Sequence, residues 1–130
     1  MYVIITGGRD YKNRRELRSV LDRLHKERKF TYLGHGDAQG ADHMAHSWAK
    51  TAGVQPVAME ALWSFYPANK AGTIRNKSMY DFKAPDLIVA FSGGVGTANM
   101  MRVGKDGGTE VIDVEDIDLT NPDRIIGFNR

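Results

Sequence analysis

The sequence LIVAFSGGVGT, residues 87–97, joins an apolar run to a glycine-rich turn. A buried strand that ends in such a turn and continues as a helix is a common phosphate-binding arrangement. Glycines let the backbone approach the ligand, and the first helical N–H groups point at it. The candidate anion contacts in this turn are Ser92, Gly93, Gly94, Gly96 and Thr97.

Two further strand ends carry glycines in the same way. ITGG at residues 5–8 is followed by Arg9 and Asp10, and HGDAQGAD occupies residues 35–42 after a short apolar run. Three glycine-bearing strand ends in one small domain predict a shared anionic ligand, a nucleotide or a derivative of one. The candidate ligand contacts in these two turns are Gly7, Gly8, Arg9, Gly36 and Asp37.

Length, charge and cysteine content limit the class of protein. A chain of 130 residues suits a single domain, 1–130, and a net charge of +2 gives little support to a general polyanion-binding role. The absence of cysteine excludes disulfides, thiolate metal sites and a cysteine nucleophile. No apolar run is long enough to span a bilayer and Met1 leads directly into a predicted strand, so we expect a cytoplasmic protein without a membrane partner.

Short apolar runs alternate with segments of helical periodicity along the chain. The predicted strands are Tyr2–Thr6, Phe30–Leu33, Val54–Met59, Asp86–Phe91 and Thr109–Val114. The predicted helices are one that follows an Asn13–Glu16 capping box, then Gly40–Ala52, Thr73–Phe82 and a segment from Thr97 to just before Gly107. Parallel pairing through right-handed crossovers gives an α/β fold, a Rossmann-like doubly wound parallel sheet of about five strands with helices on both faces. We predict the strand order 3-2-1-4-5, so the glycine turns after strands 1 and 4 should face each other across one cleft.

Three side chains near the first turns are candidate catalytic groups: Asp10, His35 and Asp42. Asp10 can act as a general base, hold a ribose hydroxyl or cap the next turn, and His35 can shuttle protons or only order its loop. Asp42 lies in the first turn of the second predicted helix, where the helix dipole stabilises a carboxylate without any ligand. His43 and His46 add a metal-like pattern, but nothing requires them to reach the cleft, so we expect neither a metal nor a cofactor.

Two arginines are candidate anion ligands. Arg9 follows the first glycine turn, where a guanidinium can bind an oxyanion through two donors or form a salt bridge with a neighbouring loop. Arg75 and Asn76 open the third predicted helix. A cation there can complete a phosphate clamp beside the GGVGT turn or serve as a structural ion-pair partner.

Two segments have several interpretations. Residues 60–72 are longer than a typical connection and contain Trp63, Phe65 and Tyr66, which can stack a base over the cleft, cover the sheet edge or form a subunit contact. The tail from Glu115 to Arg130 begins acidic and ends apolar, which predicts packing on the domain or on a partner subunit.

Four motifs in order resemble the SLOG superfamily, and within it the small YspA-like proteins often found in phages and bacteria. The motifs are ITGGRD at 5–10, HGDAQGAD at 35–42, AGTIRN at 71–76 and PDLIVAFSGGVGTANM at 85–100. They cover most of the chain up to about Val114. The resemblance implies a nucleotide-related ligand. Because superfamily relatives commonly pair, it also implies a homo-oligomer with sites near the interface.

The same superfamily includes the LOG phosphoribohydrolases, which split a nucleoside monophosphate between base and ribose 5-phosphate, and the DNA-processing protein DprA. The LOG signature is a PGGxGTxxE turn with an arginine on the preceding helix. Here Arg75 matches the arginine, whereas Ser92 replaces the proline and Met100 stands where the glutamate should be. A thioether cannot take a proton or stabilise an oxocarbenium-like sugar, so the resemblance implies ligand binding more strongly than turnover.

Three functions are compatible with these observations. The first, which we expect, is a module that senses or sequesters a nucleotide-derived ligand, a nucleoside phosphate or an ADP-ribose-like molecule. The second is a hydrolase of a glycosidic or phosphate bond that uses His35 or a loop carboxylate in place of the missing acid. The third is a DprA-like binder of single-stranded DNA. Its only support is the basic charge between Arg14 and Lys29, which a solvated helix face also explains, so nucleic acid is not an expected partner.

Overall fold

The computed structural model describes residues 1–61 and 66–117. Strands and helices alternate along this part of the chain, and a short 3-10 helix, Val114–Asp116, follows the last strand. The strands are β1 Tyr2–Thr6, β2 Tyr32–His35, β3 Gln55–Ala58, β4 Leu87–Ala90 and β5 Glu110–Asp113. The helices are α1 Arg14–Arg28, α2 Ala41–Ala52, α3 Ala68–Phe82 and α4 Val95–Asp106.

All strand pairs in the sheet are parallel, and the order is β3-β2-β1-β4-β5. The predicted Rossmann-like α/β fold and its strand order are therefore confirmed. Ile4 of β1 is in register with Gly34 of β2 and with Ile88 of β4, so β1 is the central strand. The strand order switches between β1 and β4, and the carboxyl ends of these strands meet at the edge where ligands bind in such sheets.

Helices cover both faces of the sheet. On one face, Ile5 packs in a core with leucines of α1 and with Trp48 of α2. On the other face, Ile4 packs with Met79 of α3 and Met100 of α4. Successive residues of β1 thus enter opposite cores, as expected for a strand that is buried on both sides.

The predicted start of the second strand was wrong. The strand begins at Tyr32 instead of Phe30. Lys29 ends α1 in a left-handed conformation with φ of 58°, and its N–H donates to the His25 carbonyl. Phe30 is buried in the core before the strand begins, so its apolar character reflects packing and not strand pairing.

Two helices begin earlier than predicted. Helix α3 begins at Ala68 instead of Thr73, because the N–H groups of Lys70 and Ala71 already donate to the Pro67 carbonyl. Helix α4 begins at Val95, inside the glycine-rich turn.

The predicted capping box at α1 is half formed. The Glu16 N–H donates to Asn13 Oδ1 at 3.1 Å. The Glu16 carboxylate, however, accepts the Tyr11 hydroxyl at 2.6 Å in place of the Asn13 N–H. The acid thus anchors an aromatic ring that packs in the core.

Parts of two interpreted segments lie outside the described residues, among them Trp63, Phe65 and the tail after Ile117. Ile117 itself packs against the core on the α1 side of the sheet. None of the described helices combines the length and the apolar character needed to cross a membrane.

Candidate functional site

A cleft of about 500 Å³ opens beyond the carboxyl ends of β1, β2 and β4, at the switch in strand order. Its volume is in the range of sites that hold small molecules and cofactors. It is lined by Thr6, Gly7, Gly8, Arg9, Gly36, Asp37, Ala38, Gln39, Asp42, His43, Glu60, Gly72, Arg75, Gly94, Gly96 and Thr97.

The glycine turns after β1 and β4, which the sequence predicted to face each other across one cleft, both line the cleft and are in direct contact below it. The Gly8 N–H donates to the Ser92 carbonyl at 2.9 Å. A Cβ at Gly8 would lie 3.0 Å from that carbonyl oxygen and 3.1 Å from the Gly93 Cα, so glycine is needed for this close approach. The Gly8 carbonyl also accepts the N–H of Ala41, the first residue of α2, at 3.3 Å. The turns therefore form one continuous floor under the cleft.

The start of α4 offers backbone donors to this cleft. Gly94 is the N-cap, no side chain caps the helix, and its first turn holds no acidic residue. The Ala98 N–H makes the first helical hydrogen bond, to the Gly94 carbonyl at 3.0 Å. The N–H groups of Val95, Gly96 and Thr97 have no acceptor within residues 1–61 and 66–117. Together with the positive end of the helix dipole, they suit an anion.

The Thr97 side chain adds a hydroxyl to these backbone donors. Thr97 is only 5% exposed, yet its hydroxyl has no hydrogen-bond partner among the described residues. No fully buried side-chain oxygen or nitrogen in that part of the chain lacks a partner. The hydroxyl is therefore reached from the cleft that Thr97 lines.

The Arg75 guanidinium is fixed by three acceptors in the protein. Nη1 donates to the Gly36 carbonyl at 2.6 Å and to the Met59 carbonyl at 3.4 Å, and Nε donates to Asn76 Oδ1 at 2.9 Å. Burial lowers the pKa of Arg75 and Asp42 opposes that shift, but an arginine remains charged in proteins. Nη2 has no partner in the described part of the chain, and Arg75 lines the cleft. Arg75 thus presents a free donor edge to a ligand.

Asp42 lies on the opposite side of the same Gly36 backbone. Its Oδ2 accepts the Gly36 N–H at 3.0 Å and the Ala38 N–H at 3.2 Å. Burial raises the pKa of Asp42 to about 6, while the two amides and the Arg75 guanidinium oppose that effect. A Cβ at Gly36 would collide with the guanidinium, so a larger residue here would displace Arg75 from this position.

His35 is fully buried and does not line the cleft. Its Nδ1 accepts the Asp37 N–H at 3.0 Å, and its Nε2 lies 2.8 Å from His46 Nδ1. Since a backbone N–H can only donate, the neutral His35 ring carries its proton on Nε2 and donates it to His46. Burial and, next, His46 lower the pKa of His35 to about 4. In this geometry His35 holds Asp37, whose φ is 57°, and its ring does not line the cleft.

The mouth of the cleft is polar. Arg9 is exposed there, and its side chain has no hydrogen bond or ion pair with the described residues. His43 Nε2 lies 3.5 Å from Asp37 Oδ1 in a pair that is exposed on both sides and therefore weak. Asp10 is exposed in the turn after β1 and does not line the cleft. No three histidine or acidic side chains of the described residues come together to hold a metal ion.

Three predicted ligand contacts lie outside the cleft: Asn76, Ser92 and Gly93. Asn76 is buried between α3 and α4, where its Nδ2 donates to the Gly96 carbonyl at 3.1 Å and to Asn99 Oδ1 at 3.0 Å. Ser92 and Gly93 contact the turn after β1. In this structure these residues support the wall of the cleft.

Met100 is fully buried in the core with Ile4 and Ile88. The position of the LOG glutamate is therefore part of the hydrophobic core in this protein. An ionised carboxylate there would lose its hydration without gaining a partner, which is strongly unfavourable.

Six residues that line the cleft were not among the predicted contacts: Thr6, Ala38, Gln39, His43, Glu60 and Gly72. Glu60 follows β3, so the rule that ligands bind beyond the carboxyl ends of strands points to it. Gly72 precedes Arg75 by one helical turn on α3 and shares its face.

Comparisons with known proteins agree with the motifs. The family model described as YAcAr (YspA, cpYpsA-related SLOG family) matches residues 1–66. The "Gene 61 protein" of Mycobacterium phage D29 is 36% identical over 122 residues, which cover 88% of this chain and 96% of that protein. No solved structure matches. The chain therefore belongs to the YspA, cpYpsA-related SLOG family.

Proposed function

We propose that this protein binds a phosphate-bearing, nucleotide-derived ligand and acts as a module that senses or sequesters it. The ligand is a nucleoside phosphate or an ADP-ribose-like molecule. One observation carries the proposal: the start of α4, the Thr97 hydroxyl and Nη2 of Arg75 all open onto one cleft. Membership of the SLOG family supports a nucleotide-related role.

The donors of this cleft are in place before a ligand arrives. Arg75 is held by two backbone carbonyls and Asn76, and Asn76 is in turn bonded to the first turn of α4. A side chain that is already ordered loses little conformational entropy on binding. Hydrogen bonds from a guanidinium to an oxyanion are also stronger than those between neutral groups. Both effects favour tight binding of an anion.

The absence of a LOG-type acid supports binding over that family's hydrolysis. Met100 takes the position of the LOG glutamate and lies in the core. The anion-binding half of the LOG site is kept, in Arg75 and the glycine turn, without the carboxylate that would act on the sugar.

Isothermal titration calorimetry with AMP, ADP and ADP-ribose tests this proposal. We expect binding of at least one of these compounds without its consumption. Native mass spectrometry of the freshly purified protein should show a co-purified ligand of matching mass, and it also reports the number of chains in the expected homo-oligomer. No heat with any of these nucleotides at millimolar concentration would contradict the proposal.

A pair of variants on α3 locates the binding. Arg75→Met removes the guanidinium that faces the cleft, and Lys77→Met removes one positive charge from the exposed surface two residues later. We expect at least tenfold weaker nucleotide binding for Arg75→Met and no change for Lys77→Met, since the loss of a hydrogen bond to a charged group has about this effect. Equal losses in both variants would indicate a general charge effect.

Hydrolysis by another acid is the second candidate, and the placement of Asp42 in the cleft favours it. A buried carboxyl with a raised pKa suits a general acid or base. Phosphorus NMR of nucleotides incubated with the protein tests this candidate. New phosphate or ribose-phosphate signals that disappear in Asp42→Asn would support it, and unchanged spectra at high protein concentration would exclude it.

A further inference from the structure

The two oxygens of the Asp42 carboxylate differ in their hydrogen bonding, since only Oδ2 is bonded to the backbone. Asp42 is 4% exposed, and its Oδ2 accepts both backbone N–H groups that hold the loop after β2. Oδ1 has no partner within the described residues. Because no fully buried polar side-chain atom there lacks a partner, Oδ1 is reached from the cleft that Asp42 lines. The cleft therefore contains a strong acceptor among its donors.

This acceptor disfavours an oxyanion that carries no hydrogen-bond donor. A carboxylate oxygen and an unprotonated oxyanion oxygen both accept hydrogen bonds and repel each other, so Oδ1 has no favourable contact with an anion such as sulfate. An acceptor in a largely dehydrated site is costly unless the ligand brings a donor to it. A suitable ligand must carry an oxyanion and a donor on the same molecule.

Gly36 sets the spacing between the Arg75 guanidinium and the Asp42 carboxylate. Arg75 Nη1 bonds the Gly36 carbonyl and Asp42 Oδ2 bonds the Gly36 N–H, so the two charged groups lie on either side of one residue. Their free atoms, Nη2 and Oδ1, both belong to cleft-lining residues. The donor and the oxyanion of the ligand must therefore reach two groups that flank the same residue. A sugar hydroxyl and the phosphate on the same pentose meet this requirement.

We infer that Asp42 Oδ1 accepts a hydrogen bond from a sugar hydroxyl, and that the cleft selects pentose phosphates, free or within a nucleotide, over a donor-free oxyanion such as sulfate. This inference rests on the proposed function, and it assigns Asp42 a role in ligand selection. The hydroxyl donates to Oδ1 while the phosphate contacts Arg75 and the start of α4. Neither contact involves a change in covalent bonding.

Calorimetric titrations with four probes test the inference: AMP, 2′,3′-dideoxyadenosine 5′-monophosphate, ribose 5-phosphate and inorganic sulfate. We expect the wild-type protein to bind AMP about tenfold or more tightly than the dideoxy compound, as for a lost hydrogen bond to a charged group. Tighter binding of ribose 5-phosphate than of inorganic sulfate would show that the sugar is recognised without the base. If instead AMP binds and ribose 5-phosphate does not, the pentose must be part of a nucleotide.

The variant Asp42→Asn replaces the acceptor that faces the cleft and removes the carboxylate charge. Its amide oxygen can still accept the Gly36 and Ala38 N–H groups, so its NH₂ group takes the place of Oδ1 and offers a donor where the wild type offers an acceptor. We expect the preference for AMP over the dideoxy compound to fall to near one. Asp81→Asn, which removes the same charge from the exposed surface of α3, should keep the preference.

Equal wild-type affinities for AMP and the dideoxy compound would overturn this inference while leaving the proposed function intact. So would an Asp42→Asn variant that keeps the full preference. If none of the four probes binds, this inference fails, and the proposed function fails with it only if ADP and ADP-ribose also give no heat. The wild-type comparison needs no variant, so a folding defect in Asp42→Asn does not leave the question open.

Discussion

A methyl group added at Gly96 should weaken anion binding at the start of α4 without lowering the stability of the protein. Gly96 is in the first turn of α4 and lines the cleft, and a Cβ at this position would meet no atom within 4 Å. Since Cα–Cβ bonds in a helix tilt toward its N-terminus, the methyl of Gly96→Ala projects toward the end where the anion binds. Gly104, two turns later in the same helix, provides the matched control.

The two substitutions have opposite expected effects on the free energy of unfolding. Alanine is favoured over glycine in a helix by up to about 1 kcal/mol, so Gly96→Ala should be neutral or stabilising. A Cβ at Gly104 would collide with Ile88 Cδ1 and lie 3.1 Å from Val111 Cγ2. Overpacking of this kind costs about 1–3 kcal/mol, which leaves a net destabilisation of up to about 2 kcal/mol after the gain in helix propensity.

Urea denaturation and calorimetry with AMP measure both quantities on the same samples. Gly96→Ala should unfold at the same or a higher urea concentration, yet bind AMP at least tenfold more weakly, because the methyl keeps a phosphate from the free N–H groups. Gly104→Ala should be less stable and bind AMP as the wild type does. Full AMP affinity in Gly96→Ala would refute the assignment of the anion to the start of α4.

Three other variants or groups give independent tests. The pKa of Asp42 is raised from 3.8 to about 6. The contribution of the Asp42 carboxyl to the free energy of unfolding is therefore present at low pH and lost as pH rises through about 6. Asp42→Asn should then exceed the wild type in stability at pH 7 by up to about 3 kcal/mol and lose that advantage near pH 4, as measured by denaturation at both pH values. For His35, whose pKa is lowered to about 4, nitrogen NMR should show a proton on Nε2 and neutrality down to about pH 4; a midpoint near 6.5 would contradict its buried pairing with His46. Asn76→Ala should lower both stability and AMP affinity, since Asn76 holds Arg75 and the first turn of α4 together, and unchanged affinity would show that Arg75 needs no such support.

The fold could be predicted from the sequence because its signals are local and repeated. Apolar runs of strand length alternate with helical periodicity, and the short connections leave few ways to order parallel strands. The positions of element ends were harder to predict. Phe30 is apolar because it enters the core before β2, and Pro67 starts α3 within a segment that reads as a loop.

The site was predicted less completely, because neighbouring residues diverge in space. Arg75 and Asn76 are adjacent, yet α3 turns one toward the cleft and the other toward α4. His35 is the last residue of β2 and points into the interior, whereas Gly36, immediately after it, lines the cleft. Such differences depend on side-chain direction and on the elements packed above, which glycine spacing and motif order do not encode.

The most direct test of the central claim is an amide proton–nitrogen NMR titration with AMP and ADP-ribose. We expect the backbone signals of Val95, Gly96 and Thr97 to shift with the bound fraction, together with the Arg75 side-chain signals, because these donors contact the phosphate. Saturating shifts confined to α1, or no shifts at millimolar ligand, would contradict it.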